Sequence, residues 1–200
     1  MSDRSELIEL HNRLSKTLDE ERGVAREKRY EKGYRTAREN LDDLVDEGSF
    51  VEYGQLAIAA QKSRRELEEL RTETAADGII TGFGKINSEI LDNKKALSAI
   101  IINDYSVLAG TQGYYHHKKL DRICETAEKQ NLPVVMYTEG GGGRPGDTDV
   151  HVQFAGLNIP SFSNWAKLKG KSLRIAVNNG YCFAGNAALF GTADFCISTK

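Results

Sequence analysis

Two glycine-bearing segments hold the residue types best suited to chemistry. The first, Glu139-Gly140-Gly141-Gly142-Gly143-Arg144-Pro145-Gly146-Asp147, directly follows the apolar run from Val134 to Thr138. Ligands gather at the carboxyl ends of buried strands in α/β sheets, and glycine there lets a ligand approach bare backbone and lets successive N–H groups meet an anion. Gly140, Gly141, Gly142 and Gly143 are therefore candidate substrate-binding residues. Arg144 is a candidate beside them, because a guanidinium can meet a phosphate or carboxylate bidentately; a structural ion pair is an equally open use of it. No Gly-Lys-Ser/Thr follows the run, so it is not a P-loop. Gly82-Phe83-Gly84 lacks the third glycine of a dinucleotide site.

The second segment runs from Ile175 to Phe190, IAVNNGYCFAGNAALF. A strand reads into a turn, and a Gly-small-small stretch then opens a helix whose first N–H groups lack intrahelical acceptors. Free amides at a helix start, unobstructed by side chains, suit an anion or the oxygen of a developing oxyanion. The backbone N–H groups of Gly185 and Asn186 are the candidate donors, with Ala184 lining the same place.

The remaining polar residues are weaker candidates. His116 and His117 are adjacent at a helix start, so their side chains point about 100° apart and cannot readily chelate one ion; a solvated or capping pair is expected. His151 has no companion at metal-ligand spacing. Cys124, Cys182 and Cys196 contain no C-x-x-C spacing and read as reduced thiols in apolar surroundings. No metal site is expected.

These segments need a scaffold, and the chain divides into two textures. Residues 1–71 hold 14 Lys+Arg and 17 Asp+Glu, 31 of the 56 charged side chains, whereas 15 of the 19 glycines lie beyond them. The expected organisation is a helical extension over 1–75 and an α/β body over 76–200. Leu7, Leu10, Leu14 and Leu18 recur at helical spacing and call for a surface to cover them. Thr36-Ala37-Arg38-Glu39 reads as a capping box, predicting a helix over about 37–46 that Gly48 stops. In the body, residues 78–86, 97–103, 134–138, 173–177 and 195–198 read as strands, most of them apolar on both faces as in a covered sheet. Helices are expected over 114–130 and after Gly185. A formal net charge of -2 argues against bulk nucleic-acid binding. The absence of an apolar run of about 18 residues argues against a membrane span, so the cytoplasm is the expected setting.

The strand, the Asn-Gly-Tyr turn and the glycine-containing helix start resemble the crotonase superfamily. That resemblance implies that Gly185 and Asn186 hold a thioester oxygen of an acyl-CoA. Enoyl-CoA hydratases place a glutamate where this chain has Ala188, and the related Clp-type peptidases need a serine near the helix start, where Asn186 and Ala187 stand. Neither hydration nor peptide hydrolysis has its side chain.

More widely, the chain resembles the carboxyltransferase subunit, N-terminal half, of biotin-dependent acyl-CoA carboxylases. The blocks that carry this are Arg29–Glu39, Leu44–Glu52, Ala76–Ile79, Asp104–Gly113 and the glycine loop, in the family's order from about residue 25 to residue 200. EGGGGRPGD in place of the commoner Ser-Gly-Gly-Ala-Arg form marks a divergent branch. The resemblance implies a crotonase-like fold of stacked ββα units with an N-terminal helical extension. It also implies carboxyl transfer from carboxybiotin, borne on a partner carrier domain, to the α-carbon of an acyl-CoA. Biotin carboxylase and biotin carrier components would be partners, as would a C-terminal carboxyltransferase half beyond Lys200, within a homo-oligomer. The base is then the released biotin, which agrees with the lack of a conspicuous side-chain base. A biotin-dependent acyl-CoA decarboxylase subunit and a truncated acyl-CoA-binding module share these motifs.

Overall fold

The computed structural model describes residues 4–150 and 159–199, so His151 lies outside the described residues. The front of the chain forms α1 (Ser5–Ser15), α2 (Gly23–Tyr30), α3 (Ala37–Leu44), β1 (Val51–Tyr53) and α4 (Leu67–Glu73). The body follows with β2 (Ile79–Lys85), the single turn α5 (Asn93–Ala96), β3 (Leu97–Asn103), α6 (Tyr114–Gln130), β4 (Val134–Tyr137), β5 (Gly140–Gly141) and α7 (Ser161–Lys167). It ends with β6 (Arg174–Asn178), β7 (Cys182–Phe183), α8 (Ala184–Gly191) and β8 (Phe195–Ser198). No described helix is long and apolar enough to cross a membrane.

Six strands form one mixed sheet in the order β1-β2-β3-β4-β6-β8, and β5 pairs with β7 in a separate two-stranded parallel sheet. β3, β4, β6 and β8 are parallel to one another, whereas β1·β2 and β2·β3 are antiparallel. The covered sheet expected from the apolar strands is thus parallel in its second half and antiparallel at its start. The link from β2 to β3 holds only one helical turn, too little for the crossover that a parallel pair requires.

β3 shows why its sequence is apolar without interruption. Ala99 and Ile101 face a layer made by Leu120, Ile123, Cys124 and Ala127 of α6 with Trp165 of α7. Ile100 and Ile102 face the opposite layer, which contains Ala37 and Leu41 of α3. Side chains alternate along a strand, and both faces are covered. The front segment is thus built into the body, since α3 covers one face and β1 extends the sheet edge. β1 is not evident in the sequence; three residues beside Gly54 are too short for a periodicity to register.

The capping box forms as read: Thr36 Oγ1 accepts the Glu39 N–H at 3.1 Å and Glu39 Oε2 accepts the Thr36 N–H at 2.7 Å. α3 ends at Leu44, with Val45 extended and Gly48 at φ +68° in the turn beyond it. α1 buries no residue, and of the leucine stripe Leu14 is half-buried while Leu7, Leu10 and Leu18 are exposed, so the described residues cover that stripe only in part.

Two expectations need correction. Cys124 is buried and burial pushes its thiol up to about 12, but Cys182 is half-buried and Cys196 exposed. His116 and His117 are not solvated, being 0% and 2% exposed. The start of α6 is driven into the core: the His116 N–H donates to Asp77 Oδ2 at 2.7 Å, and His117 Nδ1 lies 2.9 Å from Ser161 Oγ, which donates to Asp121 Oδ1 at 2.6 Å. Spacing cannot show this, because Asp77 and Ser161 are remote in sequence.

Burial lowers both imidazoles, His117 from 6.5 to about 4. Between those values the unfolded chain binds a proton that the folded chain does not, so stability rises with pH across the window and falls on acidification. Unfolding in denaturant should show a loss of up to about 3 kcal/mol attributable to His117 between pH 6.5 and 4. His117→Gln should flatten that part of the profile; an unchanged slope would place the acid sensitivity elsewhere.

Candidate functional site

β4 delivers the chain through Thr138 and Glu139 into the glycine loop, and β6 delivers it through Asn178–Tyr181 into β7 and α8. The two segments meet as a parallel pair, with Gly140 opposite Cys182 and Gly141 opposite Phe183. The Gly140 N–H donates to Tyr181 O at 2.5 Å. Because the pair is parallel, Gly142–Gly143 and Ala184–Gly185 leave it side by side at the same end.

At that end lie two runs of backbone amides. Ala184, Gly185 and Asn186 are the first three residues of α8, where N–H groups have no intrahelical acceptor. The β5·β7 register places Phe183 O opposite the Gly142 N–H, whereas the N–H groups of Gly143, Gly185 and Asn186 have no acceptor among the described residues. Ala184 has φ +43°, a left-handed conformation that costs a non-glycine residue about 1–2 kcal/mol. That outlier turns the chain abruptly from β7 into the helix.

A chain of glycines has no side chains with which to hold a shape, and its neighbours supply the restraint. Gly140 and Gly110 touch backbone to backbone: a Cβ on Gly140 would lie 2.6 Å from Ala109 O and from Gly110 Cα. Gln112 donates its N–H to Gly142 O at 2.8 Å and accepts the Arg144 N–H at 3.0 Å. The fully buried Asn186 side chain joins these parts. Its Nδ2 donates to Glu139 O at 3.1 Å and Gly110 O at 3.3 Å, and its Oδ1 accepts from Gln112 Nε2 at 2.7 Å. The sequence drew attention to the amide of Asn186 but gave no sign of this second use. A Cβ on Gly185 would meet Gln112 Oε1 at 2.5 Å and Phe162 Cζ at 3.1 Å. A side chain there would disturb the Gln112–Asn186 contact before it reached any ligand.

Of the two uses open to Arg144, the structure shows the ion pair. Its side chain is 4% exposed and pairs with Asp77, its Nη2 donates to Thr111 O at 2.7 Å, and Asp147 Oδ2 lies 3.7 Å from Nη1. Burial pushes the Asp77 carboxyl up and Arg144 opposes the shift. Arg144 therefore secures the far end of the loop and directs its donors inward, away from the amides.

A neighbouring cavity of about 530 Å³ was not evident in the sequence. It is lined by Arg22, Lys28 and Lys32 with Tyr34, Tyr105 and Tyr181. Arg22 is committed to Asp104 at 2.8 Å, whereas Lys28 and Lys32 have no ion pair among the described residues. Tyr181 stacks on Phe183 with centroids 6.1 Å apart, so the cavity adjoins the start of α8.

A mixed sheet covered on both faces, with a glycine loop running beside a helix start, defines a crotonase-like α/β protein. Within that class, the chain belongs to the carboxyl transferase domain family, whose match spans residues 28–200. It is 31% identical over 192 residues to the biotin-dependent acetyl-/propionyl-coenzyme A carboxylase beta5 subunit of Mycobacterium tuberculosis, covering 96% of this chain and 32% of that one. It is 33% identical over 180 residues to the mitochondrial methylcrotonoyl-CoA carboxylase beta chain of Dictyostelium discoideum, covering 87% of this chain and 28% of the other. Among solved structures, a single-chain, multi-domain long-chain acyl-CoA carboxylase matches with a TM-score of 0.92 and 49% identity, over 98% of this chain and 19% of that one. The chain thus spans about a third or less of the length of these relatives.

Asn186→Ala keeps the backbone amide and leaves two buried carbonyls and the Gln112 amide without their partner. Each unsatisfied buried group costs about 1–3 kcal/mol. A loss of at least about 2 kcal/mol in equilibrium unfolding is expected; a loss under 0.5 kcal/mol, roughly that of a neutral surface change, would show that water replaces the carboxamide.

Proposed function

We propose that this chain is the acyl-CoA-binding part of a biotin-dependent acyl-CoA carboxyltransferase. The observation that carries the reading is the set of unpartnered amides, Gly143 from the loop and Gly185 and Asn186 from the helix start, leaving β5·β7 at one end. Carboxylation at the carbon next to a thioester passes through an enolate, whose oxygen gains negative charge as the α-proton leaves. Donors already aimed at that oxygen act in the transition state without reorganising, and loss of one costs roughly 3–4 kcal/mol. Backbone donors suit this chain, which carries no acid or base side chain at the helix start.

Lys28 and Lys32 are the cations left over for the phosphates of coenzyme A, and Tyr34, Tyr105 and Tyr181 offer faces for its base. Tyr181 and Phe183 then lead from the cavity to the amides, as a ligand extended from a nucleotide to a thioester requires. The carboxyl group arrives on biotin attached to a partner carrier, where carboxybiotin supplies activated CO2. This chain orients the acyl group and holds the enolate oxygen. It works with biotin carboxylase and carrier components, in a homo-oligomer in the cytosol, together with the rest of a carboxyltransferase. Identity of 49% to the long-chain enzyme favours a long acyl chain. A decarboxylase would use the same amides in reverse.

Comparing Asn186→Pro with Asn186→Ala tests the reading, since both lose the carboxamide but only proline loses the N–H. Carboxyl transfer at saturating acyl-CoA should be roughly two to three orders of magnitude lower in the proline variant than in the alanine variant, the effect of one lost donor, with acyl-CoA affinity much less changed. Equal rates in two folded variants would remove the Asn186 amide from the mechanism. Lys28→Ala with Lys32→Ala should weaken acyl-CoA binding about tenfold or more, a loss of at least 1.4 kcal/mol, and leave the saturated rate unaltered. Unchanged affinity by calorimetry would move the coenzyme A site out of this cavity.

A further inference from the structure

Arg29 and Glu139 are 110 residues apart in sequence and meet in the interior. Arg29 Nη1 donates to Glu139 Oε1 at 2.8 Å and Nη2 to Oε2 at 2.6 Å, a two-pronged fork between side chains 7% and 4% exposed. The guanidinium is itself fixed: Nε and Nη2 donate to Arg35 O at 3.0 and 2.9 Å, and its carbon lies 5.0 Å from the Tyr34 ring centroid and 5.6 Å from that of Tyr105. The space for the carboxylate is reserved as well, because a Cβ on Gly180 would collide with Glu139 Oε1.

Glu139 is the residue from which the glycine run departs. Its carbonyl is held by Asn186 of α8 and its carboxylate by Arg29 at the end of α2, so both of its polar groups are fixed before the chain reaches Gly140. Net stability is a poor explanation for such a pair, since a buried ion pair commonly contributes no more than well-packed apolar residues of the same size. What a bidentate fork does supply is direction.

We infer that Arg29 and Glu139 are positioning residues: the helical front of the chain sets the placement of the Gly140–Gly143 amides through this fork. The inference rests on the proposed carboxyl transfer for its kinetic consequence but not for its structural one. Misplacement of about 1 Å in a group that must meet a transition state can lower a rate by about a hundredfold. Arg29 also borders the cationic cavity, so the same guanidinium adjoins both the cavity and the loop.

The experiment uses the intact protein with Glu139→Gln, Arg29→Lys and the apolar double variant Arg29→Met/Glu139→Leu. The double variant removes both charges and leaves neither unpaired, so it should unfold near the wild-type temperature. Backbone amide exchange at Gly140, whose N–H donates to Tyr181 O, should nonetheless accelerate at least tenfold in it and in Glu139→Gln, while exchange in the middle of α6 stays unchanged. The transfer rate at saturating acyl-CoA should fall ten- to hundredfold in both, with the acyl-CoA dissociation constant within about threefold of wild type. Arg29→Lys keeps the charge without the fork and should lie between them and wild type. If the double variant recovers both stability and transfer rate, or if loop exchange does not change, the pair is only a structural contact and the inference is overturned. Exchange needs no substrate: faster loop exchange in a protein that never transfers a carboxyl group would sink the proposed function and leave the positioning role standing.

Discussion

The buried carboxamide of Asn186 is the contact on which the site depends most heavily. A run of four glycines has a large conformational entropy and no side chains to restrain it, so its shape must be imposed from outside. Asn186 does this from within the first turn of α8, gripping the carbonyls of Glu139 and Gly110 while Gln112 grips Asn186. One residue therefore presents an amide at the helix start and fixes the opposite wall of the same site. The two amide runs cannot move independently, because the side chain that orders one is attached to the backbone of the other.

That local arrangement is anchored to a sheet with two covered faces. β3 lies between α6 and α3, so the packing that places β4 also fixes the front of the chain against the body. A further ion pair ties the front to the body, Arg22 reaching Asp104 after β3, while Arg38 holds Glu52 of β1, the strand by which the front joins the sheet. Exposed charge pairs contribute little to stability, and the many charges of residues 1–71 would read that way from composition. Several are instead buried and directed at particular partners. The charged front of the chain supplies the fixed points that the glycine-rich body lacks.

How much of this was legible in the sequence follows from the range of each interaction. β3, β8 and α6 appear where pattern places them, over 97–103, 195–198 and 114–130, because apolar runs and helical periodicity are local. The capping box is legible for the same reason, with its partners three residues apart. The antiparallel start of the sheet depends on a link too short to cross over, which a strand-by-strand reading overlooks. The burial of His116 and His117 depends on Asp77 and Ser161, and the role of Glu139 depends on Arg29. Residue type announces nothing of these pairings; a glutamate next to four glycines reads as loop polarity until the arginine that faces it is known. Tyr34, Tyr105 and Tyr181, drawn from three distant segments, form the cavity wall only after folding.

The site also shows why a search for catalytic side chains comes up short here. At the start of α8 the side chains are Ala184, Asn186, Ala187 and Ala188, and Asn186 turns inward. The groups facing outward from this turn and from the glycine loop are N–H donors, which every residue except proline carries. Such a site leaves a signature of small residues and of backbone conformation. Gly110 and Gly140 are glycines because the two loops touch at their main chains, and Ala184 occupies a left-handed turn that a β-branched residue would resist more strongly. Sequence can locate chemistry of this kind through where side chains are missing, but the orientation of the amides comes from Asn186, Gln112 and Glu139, which touch the loop from behind.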